Sequence, residues 1–512
     1  MVGCSSKTFV HYEYMDYVEV VEEEIVGPNE AYKKYASYSN YIAKRKISTD
    51  EYVDVDVGQF YDVMHNKKLD TSKGVTCASK QIIKSKGKQK ILVIPVDFPD
   101  YKVDKLGISK EDYILNLKKA FFGVAKDNNF LSVAEYYNHS SGGRLQIDGE
   151  VCEEFFTYPR TVEEINKDKN TIKSKDVYLQ YSDILRWYKT TFNRDYDDFR
   201  IDPNSGSNDP AIVEDVVIYL VYTYPHQYAD DEGKDNSEFF WAYTFEDKPL
   251  SWSSYSTANA IKGKPDAHTF IHEVGHLLGL VDYYPKTNNN STTTSTVAEP
   301  TGRIDMMDFS IGDHTALSKM MLNWTRPYHV LKDCEITINS FTKSGDLVLI
   351  NHAWNKSVFD EYYLIELYSP LGLNYYDSVI GNKEAILPSL PGIKIYHVDA
   401  RLAYFTKGDN PLFSHYCYEK GDVSEKKINL ANNNTLSSSD TDSGNVRDDY
   451  LYELILNHVG HPAASCASNY NLFRKGDSYE TTKWNRDLYG TNFKVTVTSC
   501  DYNKATLKFE FL

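Results

Sequence analysis

In the stretch HTFIHEVGHLLGLVDYY, His268 to Tyr284, three histidines, a glutamate and an aspartate interrupt an otherwise almost wholly apolar run. Titratable side chains are costly to bury without a partner, and the spacing here names one. His272, Glu273 and His276 form H-E-x-x-H. On a helix, positions i and i+4 share a face, so both imidazoles reach a single metal ion. Zinc takes such a pair, and Glu273 beside it reaches a water held there. Gly279, three residues after His276, ends the helix, since glycine adopts the left-handed conformation at C′ without strain. The chain then turns and Asp282 returns as the expected third ligand. Three protein ligands and one water make the open, catalytic arrangement of zinc, in which the water ionises near pH ~7. Glu273 would accept the water's proton and pass it to a leaving amine. The chemistry this pattern predicts is peptide-bond hydrolysis. His268, one turn earlier, reads as a capping or packing residue outside the ligand set.

Such a site needs a rigid scaffold. Phe270, Ile271, Val274, Leu277 and Leu278 give the helix an apolar face for the core. Upstream, ILVIPVDF (Ile91 to Phe98) reads as a buried strand, and DVVIYLVYTY (Asp215 to Tyr224) as a central one. RLQIDGEV and FFWAYTF read as further strands. Helices are predicted over KEDYILNLKKAFFG, closed by Gly123, and over SVAEYYNHS, where Ser132 and Glu135 form a capping box. Two more helical patterns fill Val162 to Phe192. Strands alternating with helices indicate an α/β (α+β) unit. Thr287 to Gly302 is polar and of low complexity, a loop. After about Pro327, short alternating runs (CEITINS, DLVLINH, EYYLIELY, GIKIYHVDA, FKVTVTSC, ATLKFEFL) point to a β-rich domain, expected to be a sandwich. The expected division is residues 1–75 as an extension, pro-segment or spacer, 76–326 as the catalytic domain and 327–512 as the β-rich domain.

The 512 residues carry a formal charge of −17, which argues against a nucleic-acid partner. No apolar run is long enough to span a membrane. None of the seven cysteines forms a C-x-x-C pair, so a cysteine zinc site is not expected. The start, MVGCSS, looks like the end of a bacterial lipoprotein processing site with Cys4 as the lipid-bearing residue; a secreted or cell-surface location is the matching expectation.

The extended pattern H-E-x-x-H-x-x-G-x-x-D resembles that of metzincin-type zinc peptidases, which carry a methionine turn below the metal. In IDMMDFSIGDH that methionine is Met306 or Met307, with Met307 preferred because it directly precedes Asp308. More specifically, the chain resembles the immune inhibitor A family of secreted bacterial metallopeptidases. ILVIPVDFPD, FFG, SVAEYYNHSSGGRLQIDGEV, WAYTF, HEVGHLLGLVDYY, DMMDFSIGDH, EYYLIEL and GIKIYHVDARL carry the resemblance, in order, from about residue 91 to about 400. It implies a zinc-dependent endopeptidase acting on proteins or peptides, with His272, His276 and Asp282 as ligands and Glu273 as the catalytic residue. Two departures, the long region from Val151 to Val216 and the Asn/Ser/Thr loop, reshape the expected cleft, so substrate preference does not carry over.

Stabilising a developing oxyanion needs a donor near the metal, and Tyr283, Tyr284 and His314 are the candidates. Two acidic loops, Tyr228 to Ser237 and Asp440 to Asp449, have the clustered carboxylates of calcium sites, and the family implied includes calcium binders. The rival reading is a surface-binding or adhesion protein using a zinc domain as scaffold, and a third is another zinc hydrolase such as an amidase. An intact Glu273 speaks against the scaffold, which has no use for a base.

Overall fold

The structure, a computed structural model, describes residues 24–35, 76–77, 82–167, 173–201, 216–225, 238–245, 249–255, 264–284, 300–354, 358, 360–380, 387–400, 402–405, 427–430, 434, 450–457, 467–481 and 491–512. The fold is mixed α/β. It forms two compact units, one of residues 81–279 and one of residues 1–80 together with 280–512.

In the first unit a sheet runs Leu145–Val151, Gly87–Asp97, Ile218–Tyr222, Leu250–Ser254, Tyr243–Thr244 from edge to edge. Every one of these pairings is parallel except the last. Parallel strands buried on both faces read as near-continuous apolar runs, which is why ILVIPVDF and VVIYLVY mark the middle. On one face the helix Lys173–Phe192 brings Tyr181, Ile184, Leu185 and Tyr188 into a cluster with Leu92, Ile94, Leu220 and Trp252. On the other, Phe270 of the helix His268–Leu277 stacks on Phe121 of the helix Lys110–Phe122, with centroids 4.8 Å apart, and meets Tyr219 at 5.4 Å.

The expected capping box is present. Ser132 accepts the Glu135 N–H at 3.1 Å, and the Glu135 carboxyl, raised by burial, takes the Ser132 N–H in return. Gly123 does close its helix, through extended rather than left-handed backbone. A Cβ there would lie 2.6 Å from the Lys119 carbonyl oxygen, so the position needs glycine for space. FFWAYTF is mostly not strand. Only Tyr243–Thr244 pairs, after a short 3-10 turn at Glu238–Phe240.

The second unit has a seven-stranded sheet ordered Glu24–Val26, Tyr32–Tyr35, Tyr328–Val330, Leu347–Ile350, Glu361–Tyr368, Gly392–Asp399, Tyr452–Ile455. A four-stranded sheet runs Cys334–Asn339, Lys504–Phe511, Phe493–Cys500, Ser478–Glu480. Ile365, Ile395 and Ile455 of the first share one buried cluster with Val495, Leu507 and Phe509 of the second. Within the stretch read as an extension, two strands thus enter a core sheet. Tyr32–Tyr35 pairs antiparallel with Tyr328–Val330, and Lys34 Nζ sits 3.0 Å from Asp346. The segment from Pro300 to Arg326 belongs to this unit, although the catalytic domain was expected to run through it. Its groups bond to the unit's own elements: Asp377 accepts the Ile311 N–H at 2.7 Å, and the Tyr452 hydroxyl donates to Thr315 at 2.9 Å.

His397, on the inner strand Gly392–Asp399, is 1% exposed and lies between two carboxylates, Glu361 and Glu453, each 2.9 Å from a ring nitrogen. Burial alone would lower the imidazolium's pKa. The two carboxylates outweigh burial and hold it at about 9, above the ordinary 6.5. A raised folded-state pKa gives stability that is whole below about pH 6.5 and lost as pH rises through about 9. Its size is about 3 kcal/mol. We expect the denaturant midpoint of the wild type to fall across that window and His397→Gln, destabilised at pH 6, to show a flatter profile there. Parallel profiles for the two would remove His397 as the cause.

Among the described residues, no helix is long and apolar enough to cross a membrane. Cys152, Cys334 and Cys500 are free thiols, and burial pushes Cys334 and Cys500 up to about 11. Cys4 and both acidic loops lie outside the described residues, as does most of the Asn/Ser/Thr loop.

Candidate metal centre

The helix His268–Leu277 starts where Asp266 accepts the His268 N–H at 2.9 Å, a helix-start role the sequence reading had offered to His268. His268 therefore sits in the first turn, as expected. Phe270, Ile271, Val274 and Leu277 are fully buried, so rotation of the helix is fixed. The Tyr137 hydroxyl donates to the Ile271 carbonyl at 2.6 Å, while the Ile82 and Ile83 N–H groups converge on the Leu277 carbonyl at 2.9 and 3.0 Å. The Leu277 carbonyl is one that a helix end leaves open, and the Ile82 and Ile83 N–H groups satisfy it, whereas the Tyr137 bond adds a second partner to a mid-helix carbonyl. Gly279 has φ +90° and its N–H bonds the His276 carbonyl at 2.8 Å, so the left-handed turn read from the sequence is present.

With that rotation, the rings of His272 and His276 lie 4.9 Å apart at 87° to each other. One ligand atom from each of His272, Glu273 and His276 falls within 4.8 Å of the others. Both histidines are half-buried, whereas Glu273 is 4% exposed. Two imidazoles and a carboxylate converging this closely fit a zinc ion by their donor chemistry. The carboxylate is held from the neighbouring edge strand. Thr244 Oγ1 lies 2.9 Å from Glu273 Oε2 and 2.9 Å from the Glu273 carbonyl oxygen, and 2.8 Å from Ser251 Oγ. Sequence reasoning missed Thr244. Its only signal was its place in WAYTF. After burial, the Glu273 charge is the next cause that pushes the Tyr219 phenol upward.

The remaining sequence-picked residues belong to the second unit. Asp282 is half-buried. Met306 and Met307 are fully buried in a turn where Asp305 accepts the Met307 N–H at 2.8 Å and the Asp308 N–H bonds the Asp305 carbonyl at 2.9 Å. The Met307 carbonyl accepts the Tyr283 N–H at 2.8 Å, tying the turn to the strand of chain that follows Asp282. Tyr283 is fully buried, its hydroxyl accepting from Ser318 at 3.1 Å. His314 is also fully buried, 3.5 Å from Asp305. Burial opposes ionisation of Asp305, but His314 and the N–H of Met307 with the Thr315 side chain keep its carboxyl below the usual range. Tyr284 is half-buried, with its ring 5.4 Å from Phe309. The described group that converges on one point is thus the His–Glu–His triplet. No protein-family model matches this chain, and no curated protein matches it.

Proposed function

We propose that the chain is a zinc-dependent endopeptidase of the metzincin type, with a β-sandwich domain accompanying the catalytic one. The observation that carries this reading is the convergence of His272, Glu273 and His276 within 4.8 Å on one buried helix. His272 and His276 would hold the metal, and the sequence pattern adds Asp282 as the third ligand. When bound, zinc supplies Lewis acidity and lowers the pKa of water. Glu273 takes a proton from the attacking water and returns it to the leaving amine. Its burial keeps bulk water from competing for that proton. A scaffold or adhesion protein has no need of a buried carboxylate between two imidazoles.

Incubation with unfolded casein, with and without a chelator, tests the proposal. Cleavage should stop when the metal is withdrawn and return when zinc is added back. In the same titration, Asp282→Ala should bind zinc at least about tenfold more weakly. Casein left intact by fully zinc-loaded protein would sink the peptidase reading, and unchanged zinc affinity would remove Asp282 from the ligand set.

A further inference from the structure

Thr244 belongs to the two-residue edge strand Tyr243–Thr244, and the register sets it directly opposite Ser251 of Leu250–Ser254. Ser251 is fully buried. The edge strand lies beside the helix, so the Thr244 hydroxyl meets Glu273 at two atoms, carboxylate and backbone carbonyl, each at 2.9 Å. We propose that Thr244 is a positioning residue that holds the Glu273 carboxylate in its working orientation throughout the proton transfers. The proposal rests on the peptidase reading for its kinetic consequence, though the contact itself does not.

A hydroxyl has one proton to give and two lone pairs to receive with. While Glu273 is ionised, Ser251 Oγ–H donates to Thr244 Oγ1 and Thr244 donates to Oε2. When the carboxyl has taken a proton from water, Thr244 either keeps donating to Oε2 or, if the proton sits there, accepts from Oε2–H. In the second case Thr244 turns its own hydrogen to the Glu273 carbonyl oxygen, 2.9 Å away. No proton is gained or lost by Thr244, and no buried polar atom in the chain Ser251–Thr244–Glu273 loses its partner at either stage. A donor-only side chain such as lysine could not serve both states. Valine, the same shape without the hydroxyl, serves neither.

The test is the pair Thr244→Val and Thr244→Ser, with zinc content, kcat and KM on a peptide substrate, and a crystal structure of each. Losing a hydrogen bond to a charged group makes the expected fall in kcat for Thr244→Val about tenfold to a hundredfold, with KM within about twofold. Zinc content should match the wild type. Thr244→Ser should recover kcat to within about threefold. In crystals of Thr244→Val the Glu273 carboxylate should leave its wild-type position, while in Thr244→Ser it should keep it. A Thr244→Val enzyme with wild-type kcat overturns the proposal. So does a Thr244→Ser enzyme as slow as the valine variant, because the methyl group would then be the active part. If the zinc-loaded wild type cleaves no peptide, the peptidase reading fails on its own. The crystal structures then decide: a carboxylate unmoved in Thr244→Val removes the positioning role, and a displaced one supports it.

Discussion

Glu273→Gln is expected to cut casein cleavage by about a thousandfold or more, with zinc still bound. The two arms of the expectation come from different atoms. The amide has nearly the volume of the carboxylate, so a side chain only 4% exposed keeps its packing. Its carbonyl oxygen can still accept from Thr244. The ring nitrogens of His272 and His276, proposed to hold the metal, are untouched. What the amide lacks is a basic oxygen, so no group remains to take the water's proton and return it to the amine. Zinc content by elemental analysis and turnover by peptide assay read the two arms separately. Turnover within about tenfold of the wild type would remove Glu273 as the base. Loss of zinc together with activity would make Glu273 a metal-site residue of another kind.

The second large effect lies in the other unit. Lys394 and Glu366 face each other across adjacent strands as an ion pair 2% and 1% exposed. The Lys394 ammonium also lies 5.3 Å from the Tyr368 ring centre and 5.5 Å from that of Tyr396. Burial raises the Glu366 carboxyl, and Lys394 and Lys319 oppose that rise. Lys394→Met should therefore leave a buried carboxylate without its ion-pair partner and destabilise the protein by about 3–5 kcal/mol. Lys394→Met with Glu366→Leu should recover most of that loss, since two apolar groups of matching volume leave no charge behind. Chemical denaturation of both variants gives the comparison. A single variant within about 1 kcal/mol of the wild type would mean that water already reaches the pair.

What was legible in the sequence followed from local physics. The strand at ILVIPVDF was legible because nearly every side chain in it is buried, and the Ser132 cap because its partner is three residues away. GIKIYHVDA was legible as a strand, but its apparent alternation did not foretell that all of Gly392–Asp399 is buried. The H-E-x-x-H group was legible because helix geometry alone decides which face its side chains share. The rest depends on contacts distant in sequence. Nothing in WAYTF says that Thr244 will land on Glu273, which lies 29 residues further on, since that depends on sheet order. Lys394 and Glu366 looked like ordinary polar positions in alternating strands, but the segment from Pro300 to Arg326 covers that face and buries them. The same cover explains why Tyr283 and His314, picked for their chemistry near the helix, are interior residues of the second unit.

The chain enters the second unit twice, before residue 81 and after residue 279. On a ribosome the N-terminal strands emerge first and must wait. Lys34 meets Asp346, a partner 312 residues downstream. The 81–279 unit has all its strands in hand long before that, and domains generally fold as units during synthesis. The unit built from both ends of the chain is therefore the last to close, and the entropy of its long loop is lowered when residues 81–279 are already compact. Until Tyr328–Val330 is made, Tyr32–Tyr35 is an unpaired sheet edge, the kind of surface chaperones exist to shield.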